Sequence, residues 1–116
     1  MQVTIYHNPK CATSRATLKL LEARGIAPNI IEYLKTPPRK TELARLVKLL
    51  GIEARALLRT KEPEYKQAGL DNPKLSDATI LQAMIKHPKL MERPIVVAGS
   101  KAALGRPPEN VLKILK

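Results

Sequence analysis

The 116-residue chain contains one cysteine, no tryptophan and no phenylalanine, and its aromatic residues are three tyrosines. A single cysteine excludes an internal disulfide framework and a zinc site built from several cysteines, and we expect no metal site. Proteins that bind single-stranded nucleic acid usually offer aromatic rings on which the bases stack. With so few rings, we expect no nucleic-acid partner.

Long hydrophobic runs are also absent. The longest strongly apolar run is Ile95-Val96-Val97-Ala98, whereas a transmembrane helix needs about 20 apolar residues. The N-terminus lacks the basic start and apolar stretch of a secretory signal, so we expect a cytoplasmic protein with no membrane partner.

Apolar residues still make up 44% of the chain, which is enough for a packed core. The length predicts a single domain over residues 1–116.

Charge of one sign dominates the composition. The net charge is +11, from 21 basic and 10 acidic residues, and the excess is spread over both halves of the chain. A spread positive field attracts anions in general. Since stacking residues are scarce, a small oxyanion fits this composition at least as well as a nucleic acid.

The order of predicted elements defines the fold class. Strands are predicted at 2–7, 29–34, 94–98 and 102–104, with a hairpin loop over 99–101. Helices are predicted at 13–24, 40–50 and 53–58, from Ser76 to His87, and after Pro107-Pro108; residues 63–73 are expected to be irregular. The elements follow the order of a βαβ half, a helical insert and a ββα half. This order predicts an α/β protein with a thioredoxin-like fold and a mixed four-stranded sheet.

Cys11 lies where the first predicted strand turns into the first predicted helix. The free N–H groups of a helix N-terminus favour a thiolate, as do the nearby charges of Lys10 and Arg15. His7 could add charge when protonated or bind the sulfur by a hydrogen bond. The alternative is a buried, inert cysteine. The polar and basic neighbours favour a nucleophilic Cys11 beside an oxyanion site.

Arginines for that site must come from elsewhere in the chain. The phosphatase pattern C-x5-R is absent, because Thr17 occupies the arginine position. Arg59, Arg93 and Arg106 each stand at the end of a predicted element and could converge on an oxyanion. On spacing alone, scattered surface arginines are the simpler interpretation. The arginines on helix faces are most simply solvated: Arg24, Arg39, Arg45 and Arg55.

Ser14 completes a C-x-x-S pattern. Two roles are possible for Ser14: it could be an ordinary residue of the first helical turn, or its hydroxyl could support the sulfur of Cys11. Because no second cysteine exists, the chain cannot resolve a sulfur adduct by itself, and an external thiol must supply electrons.

Three segments together resemble the glutaredoxin-linked arsenate reductase family, in its short branch without a long C-terminal tail. They read Tyr6-His7-Asn8-Pro9-Lys10-Cys11-x-x-Ser14-Arg15, Glu92-Arg93-Pro94-Ile95-Val96 and Leu104-Gly105-Arg106-Pro107-Pro108-Glu109. The resemblance implies a thioredoxin-like fold with a cis Arg93–Pro94 peptide. It also implies a nucleophilic Cys11 assisted by His7 and Ser14, with arsenate bound by Arg59, Arg93 and Arg106.

The resemblance further implies a reaction. Cys11 would attack arsenate, glutathione would add to the adduct as co-substrate, and glutaredoxin would remove the glutathione so that arsenite leaves. No bound cofactor would be needed. Two other functions stay open: a monothiol glutaredoxin-like oxidoreductase, which C-x-x-S permits, and an RNA polymerase-binding regulator of the Spx type, which often carries C-x-x-C.

Overall fold

The computed structural model describes residues 2–115. The chain forms two compact units: a sheet unit made of Met1–Thr36 and Arg93–Lys116, and a helical unit made of Pro37–Glu92. The helical unit corresponds to the predicted insert between the βαβ and ββα halves. The assignment of 1–116 to a single domain stays a prediction.

The sheet unit contains a four-stranded mixed sheet with strand order β2-β1-β3-β4. The strands are β1 (Val3–His7), β2 (Asn29–Glu32), β3 (Ile95–Ala98) and β4 (Lys101–Leu104). β1 runs parallel to β2 and antiparallel to β3, and β3 runs antiparallel to β4. This topology confirms the predicted thioredoxin-like fold class.

The register of the sheet gathers three chain segments at one end. Tyr6 of β1 pairs with Ile95, the first residue of β3, and Ile95 pairs with Leu104, the last residue of β4. The segment that follows β1, the one that precedes β3 and the one that follows β4 therefore lie side by side. Cys11, Arg93 and Arg106 belong to these three segments.

Helix α1 (Ala12–Ala23) begins immediately after Cys11, one residue earlier than predicted, and Gly25 follows its end with a φ of 75°. Only glycine adopts such a left-handed conformation without strain, so Gly25 ends the helix. Leu21 of α1 packs into the core between the sheet and the C-terminal segment. The buried residues of this core are Val3, Ile5, Leu21, Val96, Ala98, Val111 and Ile114.

The C-terminal segment of the sheet unit is a 3-10 helix, Pro108–Ile114, in place of the α-helix that the Pro107-Pro108 pair and the apolar spacing indicated. Val111 and Ile114 are three residues apart, which is one turn of a 3-10 helix, so both reach the core. The hairpin before β4 is also tighter than predicted, because β4 begins at Lys101 and the turn holds only Gly99 and Ser100.

The helical unit contains α2 (Lys40–Leu50), α3 (Pro63–Gln67) and α4 (Asp77–Lys86). Two 3-10 helices, Ala54–Leu57 and Pro88–Leu90, stand before α3 and after α4. Ser76 caps α4 as predicted, because its Oγ accepts a hydrogen bond from the Thr79 N–H. The fully buried core includes Leu43, Leu46, Leu57, Leu70, Ile80, Met84, Leu90 and Met91.

Two predictions for the helical unit were wrong. Residues 63–73 were expected to be irregular, yet α3 begins at Pro63, where the missing N–H of proline costs no helical hydrogen bond. Arg55 was read as solvated, yet its guanidinium donates to the carbonyls of Leu70 and Asn72 at 2.8 and 2.7 Å. Arg55 thus ties the first 3-10 helix to the segment after α3.

Candidate active site

Cys11 occupies the N-cap position of α1 in an extended conformation. A tight turn after β1 carries it there: the Cys11 N–H donates to the Asn8 carbonyl at 3.0 Å, and the Lys10 N–H donates to Asn8 Oδ1 at 3.0 Å. The side chain is half-buried. The sulfur therefore lies over the first turn of α1, as the sequence predicted.

The surroundings of Cys11 lower the pKa of its thiol below the ordinary value. Partial burial acts the other way and raises the pKa. Hydrogen bonds from the backbone N–H groups of Ser14 and Thr13, together with the charge and a hydrogen bond of Arg93, outweigh the burial. The predicted direction is confirmed, but the cation responsible is Arg93, a residue distant in sequence.

Lys10 and Arg15 are the cations that sequence proximity had suggested. Lys10 is exposed, and the Arg15 Nη1 donates to the Pro9 carbonyl at 2.9 Å. Arg15 therefore closes the turn that carries the cysteine, a role that the sequence analysis did not foresee.

Arg93 and Arg106 come together at the Cys11 end of the sheet. Arg106 Nε donates to the Arg93 carbonyl at 2.7 Å, and Arg106 Nη2 lies 3.9 Å from Cys11 Sγ. The Arg93–Pro94 peptide is cis, as the resemblance implied, and the Arg106–Pro107 peptide is also cis. Two guanidinium groups thus stand beside one sulfur. Their charges suit an anion that approaches Cys11.

Gly105 permits the approach of the Arg106 segment to α1. A Cβ atom at Gly105 would lie 2.6 Å from Thr17 Oγ1 and 2.8 Å from Pro94 Cγ. The Gly105 N–H donates to the Pro94 carbonyl at 3.0 Å, which holds the two segments together. Neither Gly105 nor Thr17 was predicted to shape the site, although a glycine beside a strand can mark a place where another backbone approaches closely.

We expect Gly105→Ala to destabilise the protein by about 1–3 kcal/mol, because the added methyl group overpacks a closed contact. Urea denaturation would measure the loss. Thr17→Ala removes the nearest atoms, so the double variant should lose less stability than the sum of the two single variants. Additive losses would show that the methyl group does not meet Thr17.

His7 and Ser14 form a buried pair beneath the cysteine turn. His7 Nδ1 and Ser14 Oγ are joined by a hydrogen bond of 2.6 Å, and Ser14 Oγ also accepts the Asn8 N–H at 3.0 Å. Burial lowers the pKa of His7; the charge of Glu32 opposes this shift and the charge of Arg15 adds to it. Both side chains brace the turn, and their assistance to the thiolate stays a prediction.

Arg59 belongs to the helical unit, where it follows the first 3-10 helix. Its guanidinium forms ion pairs with Glu62 and Glu92, at 3.3 Å from Nη1 to Oε2 and 3.5 Å from Nε to Oε1. Its backbone N–H donates to the Leu90 carbonyl at 2.7 Å. Its part in oxyanion binding stays a prediction.

A lowered pKa makes Cys11 reactive at lower pH than an ordinary cysteine. We expect iodoacetamide alkylation to show a midpoint below about 8.5, the value of a free thiol. Arg93→Ala should raise that midpoint, because it removes the cation that stabilises the thiolate, whereas Lys10→Ala should leave it in place. A midpoint that does not respond to Arg93→Ala would contradict the assignment.

No group of three or more histidine, cysteine, aspartate or glutamate side chains within residues 2–115 is arranged to hold a metal ion. The groups assembled around Cys11 are a nucleophile, backbone donors and two cations. Such a set can attack the central atom of an oxyanion and stabilise the charge that develops on its oxygens.

Comparison with known proteins identifies the family. A model of the ArsC family matches residues 6–114. Over 115 residues, the chain is 52% identical to the uncharacterized protein YfgD of Escherichia coli K12, covering 98% of this chain and 97% of YfgD. Over 115 residues it is 50% identical to the arsenate reductase of Neisseria meningitidis serogroup A, covering 98% of each chain.

A solved structure of an arsenate reductase from Vibrio cholerae superposes with a TM-score of 0.97 at 56% identity, covering 99% of this chain and 98% of that one. The likeness thus extends over both sequence and structure for nearly the whole length. With a family model that spans residues 6–114, these matches show that the chain belongs to the ArsC family.

Proposed function

We propose that the protein reduces arsenate to arsenite, with Cys11 as the nucleophile. The observation that carries this proposal is an activated Cys11 sulfur flanked by the Arg93 and Arg106 side chains. A cysteine beside two arginines suits attack on a tetrahedral oxyanion better than general thiol exchange, which needs no anion site. Relatives named arsenate reductase, which share 50% and 56% of their residues with this chain, support the same substrate.

In the proposed reaction, the Cys11 thiolate attacks arsenic and forms an S–As bond while one arsenate oxygen leaves as water. The glutathione thiol then forms a second S–As bond to this adduct, its proton and a hydroxyl of the arsenic leaving together as a second water. A glutaredoxin thiol then attacks the glutathione sulfur, and the two thiols leave as a mixed disulfide, so that arsenic gains two electrons. Hydrolysis of the remaining S–As bond releases arsenite and regenerates Cys11.

The need for outside thiols follows from the cysteine count. Cys11 is the one cysteine in the sequence, so a resolving disulfide cannot form within the chain. The family resemblance supplies glutathione and glutaredoxin as the proposed reductants, and a reducing compartment such as the cytoplasm is the proposed location. No bound cofactor enters the scheme.

Within the described residues, no helix combines the length and apolar character needed to cross a membrane.

The oxyanion is proposed to bind Arg93 and Arg106, with Arg59 as a third ligand from the resemblance. Each guanidinium supplies a planar fork of donors that matches the spacing of two oxygens on a tetrahedral anion. His7 and Ser14 are proposed to support the sulfur by holding the turn that carries it.

The proposal is tested by NADPH consumption in a coupled assay with glutathione, glutaredoxin and glutathione reductase. We expect consumption that depends on arsenate and saturates with it. The same assay with a glutathione mixed disulfide in place of arsenate tests the monothiol oxidoreductase function. Turnover of the disulfide without turnover of arsenate would overturn the proposal.

A further inference from the structure

The helical unit places two carboxylates on the Arg59 guanidinium. Glu62 Oε2 lies 3.3 Å from Nη1 and Glu92 Oε1 lies 3.5 Å from Nε. The three side chains are between 22% and 28% exposed, so solvent and dissolved ions reach them. Arg59 thus faces two carboxylates in this cluster.

Local backbone structure builds this arrangement. The Glu92 N–H donates to the Leu57 carbonyl at 2.8 Å and the Arg59 N–H donates to the Leu90 carbonyl at 2.7 Å, which fixes Glu92 close to Arg59. Glu62 stands three residues after Arg59, and its N–H donates to the Arg59 carbonyl at 3.3 Å. These backbone hydrogen bonds therefore hold both glutamates in position beside Arg59.

Both ion pairs are longer than well-formed hydrogen bonds between charged groups, which measure about 2.7–2.9 Å. Partly exposed pairs of this kind contribute little to stability and exchange readily. A tetrahedral oxyanion that forms short hydrogen bonds to the guanidinium could displace either carboxylate. Until it does so, the two carboxylates neutralise the arginine and repel an approaching anion.

We propose that Glu62 and Glu92 compete with the oxyanion for Arg59 and thereby set the affinity of the protein for tetrahedral oxyanions. The inference rests on the proposed function to the extent that Arg59 is one of the oxyanion ligands. It assigns the two glutamates a role in substrate affinity, separate from the chemistry at Cys11.

The test compares Glu62→Gln and Glu92→Gln with the wild-type protein. Each variant should lower the KM for arsenate and the Kd for phosphate, measured by calorimetry, by about two- to fivefold, with kcat unchanged. Glu62→Asp keeps the charge and should stay close to wild type. Glu64→Gln removes a charge from α3 outside the cluster and serves as the matched control.

The expected effect requires Arg59, so Glu62→Gln should no longer change the phosphate Kd when combined with Arg59→Ala. An unchanged or raised Kd in both glutamine variants would overturn the proposal. Phosphate binding requires no turnover, so this measurement separates the two proposals. A lower Kd without arsenate reduction would support the glutamate role and refute the reductase function.

Discussion

Cys11→Ser should abolish arsenate reduction, with a loss of about a thousandfold or more in kcat. The wild-type sulfur ionises because the backbone N–H groups of Thr13 and Ser14 and the charge of Arg93 stabilise the thiolate. A serine hydroxyl in the same place has a far higher pKa and needs a general base. His7 Nδ1 is already hydrogen-bonded to Ser14 Oγ, so that nitrogen is not free to act as the base.

The measurement is the coupled NADPH assay, accompanied by phosphate binding to show that the anion site of Cys11→Ser is intact. Substantial arsenate turnover by this variant would exclude the proposed mechanism.

Ser14→Ala is the informative comparison, because the backbone N–H of residue 14 still reaches the sulfur. We expect only a weakened reaction, together with a stability loss of about 1–3 kcal/mol from the unpaired groups of His7 and Asn8.

Short-range patterns were sufficient for most of the fold. β-branched residues indicated β1, where they alternate, and β3, where they form a continuous apolar run. Glycine and serine marked ends of α1, α2 and α4, and all of these cues act over a few residues. Helix α3 was not predicted, because its five residues show too little helical periodicity to be recognised in a segment bounded by Pro63 and Pro73. The 3-10 geometry of Pro108–Ile114 was also missed, because period-three and period-3.6 spacings coincide over so short a span.

In the candidate site, the residue with a local sequence signal was easier to predict than the residues that the fold brings together from distant segments. Cys11 was recognisable because its strand-to-helix context is local. The proximity of Arg93 and Arg106 to Cys11 depends on the antiparallel register of β3 and β4, which no local pattern encodes. Their positions at the ends of predicted elements made these arginines candidates, and the family resemblance favoured them over scattered surface arginines. Neither observation indicated that Arg106 is anchored to the Arg93 carbonyl.

Arg106→Ala should lower kcat/KM for arsenate by about ten- to a hundredfold, since a charge-assisted guanidinium–oxyanion hydrogen bond contributes about 1.5–3 kcal/mol. Arg106 is exposed and anchored through Nε, and its Nη2 lies 3.9 Å from Cys11 Sγ, so its guanidinium can contact an anion that approaches the sulfur. Lysine at this position should restore only part of the loss, because it lacks both the fork and the Nε donor that reaches the Arg93 carbonyl.

The comparison with Arg93→Ala separates two roles. Arg93 lowers the pKa of Cys11, so its removal should both weaken arsenate binding and raise the pH at which Cys11 alkylates. Arg106→Ala should leave the alkylation midpoint nearly unchanged, because the 3.9 Å contact with the sulfur is long. Arg45→Ala removes an exposed guanidinium from α2 and should change neither quantity. Equal losses of kcat/KM in Arg45→Ala and Arg106→Ala would show that general positive charge, rather than a specific contact, attracts the oxyanion.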